Sequence, residues 1–176
     1  MRVGIAIGTI SLDSPWLTDL LASLEGCRWP VWINVTRDWE LATIAAAARR
    51  FDEFVFLPES TVILDQGLFD RCFLDHAGKS VNLGTAQGLR LRMYLAKYRI
   101  EAINQLGVPL VRDKNEAILH EVHWCMAYAG LEAQRGNLID VGGPLEHTDI
   151  REERHGRVNM VVSNEYLTRY KGSWGQ

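Results

Sequence analysis

Three β-rich apolar runs lie within the first 58 residues, Val3 to Gly8, "PVWINVT" from Pro30 and "EFVFLP" from Glu53, and two stretches of helical period separate them. This alternation limits the chain's possible folds more than any other feature. Continuous apolar runs are what strands buried on both faces require, and strands alternating with helices imply a parallel sheet covered on both sides. The first helix is expected from Ser14 as N-cap and Pro15 at its first position to Gly26, with Trp16, Leu17, Leu20, Leu21 and Leu24 on one apolar face. In the second, Asp38 is expected as the cap, Leu41, Ile44, Ala45 and Ala48 point inward, and Arg49-Arg50 close it where the macrodipole favours cations.

Beyond Gly67 the pattern loosens. "LFDRCFLDHA" reads as a short helix, "GKSVNLGTAQG" as turns, and "RMYLAKYRIEAINQLG" as a helix ending at Gly107. Asp113 and Glu116 then form a capping box for "KNEAILHEVHWCMAYAGLE". "NLIDVGGP" is a strand closed by a turn, "VNMVV" a further β-rich run, and "NEYLTRYKGSW" a terminal segment. No repeat or linker marks a boundary, so residues 1–176 are expected to form one α/β domain.

With 47% hydrophobic and 23% charged residues the chain is neither disordered nor fibrous, and a net charge of −3 gives nucleic acid no electrostatic footprint. Cys27, Cys72 and Cys125 show no close pairing, which speaks against a disulfide framework or structural zinc and suits a reducing cytoplasm. "MRVGIAIGTI" reads as a first strand, and no 18-residue apolar span is present.

Neither G-x-x-x-x-G-K-[ST] nor G-x-G-x-x-G occurs. Open α/β sheets nonetheless bind ligands beyond the carboxyl ends of their strands, here Gly8-Thr9-Ile10, Thr36-Arg37-Asp38 and Pro58-Glu59-Ser60, which should meet at one crevice. Asp38 also reads as a plain helix cap, and Glu59 as an exposed loop acid. On the helix from Asp113, Ile118, Val122, Cys125 and Ala129 form the expected core stripe, with Ala117, Glu121, Trp124 and Tyr128 beside it. Glu121 is thus an acid among apolar neighbours, suited to a general base if desolvated and a boundary glutamate otherwise. "HEVH" is not a zinc motif, because Trp124 stands where H-E-x-x-H needs its second histidine. Arg154, His155, Arg157, Arg169 and Lys171, near Tyr170 and Trp174, can fold over a diphosphate with Trp174 as a lid, or form a solvated charged face.

Taken in order, these pieces resemble the glycosyltransferases of the GT-A fold. "VTRDWELATIAAAARRFDEFVFLPESTV" has that family's succession of strand, helix and strand, with Asp38 as the acid beside the nucleotide base and "FVFLPEST" where the Asp-x-Asp strand would lie. "DKNEAILHEVHW" resembles the helix that presents the acceptor-activating carboxylate in inverting members. "HGRVNMVVSNEYLTRYKGSW" is similar to the closing tail of small phage and bacterial members, where a histidine and a lysine approach the donor phosphates.

The resemblance implies a GT-A-like, mostly parallel sheet between helices with a small C-terminal β segment. Residues 1–66 would be the nucleotide-binding half and 67–176 the acceptor half and tail. It implies transfer from a nucleotide-sugar, a UDP-sugar, with Glu121 as base and Thr9, Ile10, Asp38, Glu59, Ser60, Arg157, Lys171 and Trp174 around the donor. A divalent cation, manganese or magnesium, would sit at Glu59 and His155, although Pro58 and Ser60 replace both aspartates of the motif. The acceptor can be a glycan, a modified nucleobase in DNA, a lipid-linked sugar or a protein, with contacts expected around Gly78 to Arg92. A sugar nucleotidyltransferase and a nucleotide-binding module without turnover are the alternatives.

Overall fold

The computed structural model describes residues 1–82, 95–140 and 146–172, with backbone alone at 146–153, 157, 159 and 172. The first half follows the expected order: β1 (Val3–Thr9), α1 (Pro15–Ser23), β2 (Val31–Val35), α2 (Glu40–Ala47) and β3 (Glu53–Pro58). β1 is central, with Ile5 opposite Val31 of β2 on one side and Val55 of β3 on the other, both pairings parallel. The chain continues through β4 (Thr61–Ile63), α3 (Gln66–Phe69) with a π-helical turn over Asp70–Leu74, β5 (Ser80–Asn82), β6 (Ala96–Arg99), α4 (Ile100–Leu106), α5 (Lys114–Gln134) and β7 (Leu138–Asp140).

These strands form a six-stranded sheet in the order β2-β1-β3-β6-β5-β7. Only β6 runs against its neighbours β3 and β5, so the sheet is mostly parallel, as the expected fold class requires. One face packs Ile5, Ile7, Val55 and Leu57 against Leu17 and Leu20 of α1 and Phe69 and Phe73 of the following helix. The other packs Ala6, Phe54, Phe56, Ala96 and Tyr98 against Leu41 and Ile44 of α2 and Trp124 and Tyr128 of α5. No described helix is long and apolar enough to cross a membrane.

One expectation needs correction and another gains detail. The helix foreseen over 92–107 is α4 only from Ile100, because Ala96 to Arg99 pair with β3 instead. The segment carries both periods, and Lys97 decides between them. Its side chain is 0% exposed and pairs with Glu53 on the adjacent strand, while its Nζ donates to the carbonyl of His76 at 2.6 Å. A buried ammonium is tolerable only when paired and hydrogen-bonded in this way. The small C-terminal β segment is in fact a four-stranded antiparallel sheet, β4-β10-β9-β8, in which β8 (Glu146–Glu153), β9 (Arg157–Ser163) and β10 (Leu167–Gly172) recruit β4 directly after β3.

Candidate functional site

At the carboxyl ends of β1, β2 and β3 lies a cavity of about 280 Å³. Gly8, Thr43 and Phe56 line its depth, while Thr9, Asp38, Trp39 and Glu59 stand around it. The parallel register brings these residues together, as Gly8 faces Asn34 on one side and Pro58 on the other. Asn34 Nδ2 donates to Thr43 Oγ1 at 3.1 Å, which links β2 to α2 beneath the cavity.

Thr9 is 4% exposed. Its hydroxyl lies 2.8 Å from the carbonyl of Ser11 and is hydrogen-bonded to the carboxylate of Glu59, and the Ser11 amide donates to it at 3.2 Å. Glu59 therefore stands at the crevice, as expected, but as a brace between two strand ends. Ile10 also lines the cavity, with a side chain 69% exposed. Ser60 is not among the cavity's lining; its carbonyl accepts from the Tyr170 amide at 3.0 Å.

Asp38 lines the cavity but does not cap α2, whose N-cap is Trp39 without a side-chain bond. The Thr36 hydroxyl accepts from the Asp38 amide at 2.9 Å and donates to its carboxylate at 3.1 Å. Such local side-chain bonds compete with capping and here hold the turn open one residue longer. Trp39 and Thr43 were not foreseen. The signal was their place, at and just inside the helix that follows a strand's ligand-facing end.

α5 is capped as expected, Asp113 Oδ1 accepting from the amides of Asn115 at 2.8 Å and Glu116 at 3.0 Å. The Glu116 carboxylate returns to the Arg112 amide at 3.0 Å, so the box is displaced by one residue. Of the expected core stripe Cys125 and Ala129 are buried and Val122 is half-buried, but Ile118 is 51% exposed, and Ala117, Trp124 and Tyr128 of the stripe beside it are buried as well. Glu121 shares that stripe and is half-buried. Burial pushes the Tyr98 phenol well above its usual value, and the charge of nearby Glu121 adds to the shift.

His155 sits away from Glu59, in the turn between β8 and β9, with a left-handed φ of 51°. Its Nε2 is 2.9 Å from Asp19 of α1, and Arg154 donates to the same oxygen at 3.0 Å. Trp16 meets the His155 ring edge-on at 5.1 Å and the Tyr170 ring at 5.5 Å. The hydrogen bond from His155, then that from Arg154, holds the Asp19 carboxyl below its usual range. The cluster fastens the second sheet to α1.

The expected metal pair, Glu59 with His155, is therefore corrected: the first is bonded to Thr9 and the second to Asp19. Pro58 has no side-chain donor atom, and no three His, Cys, Asp or Glu side chains among the described residues gather as a metal site. The described residues do not fit a divalent cation.

Alternation along β10 puts Leu167, Arg169 and Lys171 on one face, and Leu167 belongs to the core below the main sheet. Because the Tyr170 amide reaches Ser60, Lys171 arrives beside the end of β3. Arg157 lies in β9, with its side chain outside the described residues, as is all of Trp174. Of the stretch expected to meet the acceptor, residues 83–92 also lie outside them, and Ser80–Asn82 form β5.

No protein-family model matches the chain and no curated protein is similar to it. Among solved structures, A197 from STIV is similar over 100% of this chain and 98% of its own, at 11% identity and a TM-score of 0.51. A glycosyltransferase involved in glycosylation of the major capsid of PBCV-1 is similar over 70% of this chain and 67% of its own, at 7% identity and a TM-score of 0.43. A Drosophila β1,4-galactosyltransferase 7 variant, in complex with manganese, UDP-Gal and xylobiose, is similar over 81% of this chain and 65% of its own, at 9% identity and a TM-score of 0.45. At 11% identity the likeness to A197 is one of fold alone.

Proposed function

We propose that the protein is a glycosyltransferase that moves a sugar from a nucleotide-sugar, of the UDP-sugar type, to an acceptor hydroxyl with inversion. The observation that carries this reading is the cavity at the ends of β1 to β3, where three acids, three threonines and an indole surround a depth lined by Gly8 and Phe56. That combination suits a nucleoside: Asp38 and Thr9 offer hydrogen bonds to base and ribose, and Trp39 offers a flat apolar surface.

In the proposed reaction the acceptor oxygen attacks the anomeric carbon from the side opposite the phosphate. Its bond to carbon forms as the bond to the phosphate oxygen breaks, and the nucleoside diphosphate leaves with the electron pair. Glu121 accepts the acceptor's proton, work worth about 10²–10⁴-fold. Its support is position, half-buried on α5 over the sheet face that also carries Phe56. Lys171 and Arg157 meet the charge that develops on the diphosphate, and Trp174 covers it. Residues 1–66 hold the donor, and 67–176 supply the base, the acceptor contacts and the tail.

A panel of nucleotide-sugars assayed for free nucleoside diphosphate tests the reading, with release from one donor class expected. Clear nucleotide binding without release from any donor would return the alternative of a module without turnover, which the Pro58-Glu59-Ser60 replacement favours. Pyrophosphate release from a nucleoside triphosphate and a sugar 1-phosphate would mark a nucleotidyltransferase instead.

A further inference from the structure

We infer that the donor's diphosphate is held here by cationic side chains, with no divalent cation bound to the protein, and that Glu59 is a positioning residue for Thr9. This rests on the nucleotide-sugar reading above and specifies how that site meets charge.

A hard cation such as magnesium demands about six oxygen ligands in near-octahedral order, with one or two carboxylates supplied by the protein. The ligand-facing end of β3 offers Pro58, whose side chain has no donor, then Glu59 and Ser60. The Glu59 carboxylate already accepts the Thr9 hydroxyl, and the Ser60 carbonyl accepts the Tyr170 amide. Glu59 is thus the one carboxylate of the Pro58-Glu59-Ser60 stretch, and its bond to Thr9 joins the ends of β1 and β3. His155, the other candidate, is drawn to α1 by Asp19 and packed on Trp16.

Cations reach the same place by a different route. β10 runs antiparallel to β4, Arg169 opposite Thr61, so the next two residues pass the end of β3. Lys171 is thereby brought beside the end of β3, and the exposed Arg37 lines the cavity itself. An ammonium and a guanidinium neutralise a diphosphate without a metal, the guanidinium with planar, bidentate geometry.

The test is titration of manganese(II) into the protein, followed by electron paramagnetic resonance, beside calorimetric binding of UDP and uridine in EDTA and in manganese. No stoichiometric manganese site is expected without nucleotide. The UDP dissociation constant should change by less than about threefold between EDTA and manganese, and Lys171→Met should weaken UDP about tenfold while sparing uridine. A manganese site lost in Glu59→Gln, or UDP binding about tenfold tighter in manganese than in EDTA, would overturn the inference. Failure of every nucleoside and nucleotide to bind would sink the nucleotide-sugar reading instead, and the manganese titration still decides whether the protein holds a metal.

Discussion

The carboxylate of Glu59 accepts a hydrogen bond from the buried hydroxyl of Thr9, across 50 residues of sequence and two adjacent parallel strands. The bond closes the end of the β1–β3 ladder at the place where a ligand would enter. Thr9→Val keeps the side-chain shape and removes the hydroxyl, leaving Glu59 and the Ser11 amide without that partner. The expected cost is about 1–3 kcal/mol of unfolding free energy, with weaker uridine binding as the two strand ends loosen. Urea denaturation and calorimetry on the same variant check both parts, and unchanged stability would remove the brace.

Gly4 sits where β1 approaches the segment before β2. A Cβ there would overlap the Phe51 ring and lie 2.8 Å from the Pro30 carbonyl oxygen, which accepts the Ile5 amide. The backbone must therefore shift if any side chain is added. Gly4→Ala is expected to cost about 1–3 kcal/mol, read from the denaturation midpoint. Gly130, half-buried in α5 but with open space where a Cβ would stand, is the contrasting position: Gly130→Ala should gain stability through helix propensity.

Asp19 gives the fold a dependence on acidity. His155 and Arg154 hold its carboxyl below the usual range, so the folded protein binds that proton less readily than the unfolded chain. The stabilisation is complete above the ordinary carboxylate value near 3.8 and is lost as pH falls through the lowered folded value. Wild-type protein should exceed Asp19→Asn in stability at pH 7, and the gap should narrow as the solution is taken below pH ~3.8. Thermal melts across that range measure it, and a gap independent of pH would dismiss the ion pair as its source.

Trp39 offers the cavity's indole surface. Its substitution by alanine should weaken uridine binding by about tenfold, since an aromatic contact is worth roughly 0.5–1.5 kcal/mol beyond area alone. Because Trp39 at the N-cap makes no side-chain cap bond, α2 should survive the change, and circular dichroism should confirm retained helix. Equal affinity in both proteins would place the base elsewhere.

These outcomes depend on features that were unequally legible in the sequence. Thr9, Asp38 and Glu59 could be found because each follows an apolar run, and in a parallel sheet the ends of such runs must meet at one edge. β6 could not be separated from α4, since "YLAKYRI" satisfies two periods and only the pairing of Lys97 with Glu53, 44 positions apart, selects the strand. The contact of His155 with Asp19 spans 136 residues and arises from the packing of one sheet against a helix, which no local pattern encodes. The burial of Trp124 and Tyr128 on α5, in place of Ile118, had a similar cause. Trp124 and Tyr128 fit against Tyr98 at 5.8 Å and 5.2 Å, and that aromatic packing outweighs the burial of Ile118.

That packing bears directly on Glu121, which is half-buried on the helix face between the buried Ala117 and Trp124 and whose charge reaches the Tyr98 phenol. A carboxylate so placed is partly desolvated, as proton abstraction from a sugar hydroxyl favours. Glu121→Gln keeps size and hydrogen-bonding capacity while removing the ability to take a proton. Transfer should then fall by about 10²–10⁴-fold, with donor affinity changed little. Calorimetry with UDP beside the diphosphate-release assay separates the two quantities. Loss of donor binding in step with transfer would make Glu121 part of the cavity's support, and full activity would move the base to another acid.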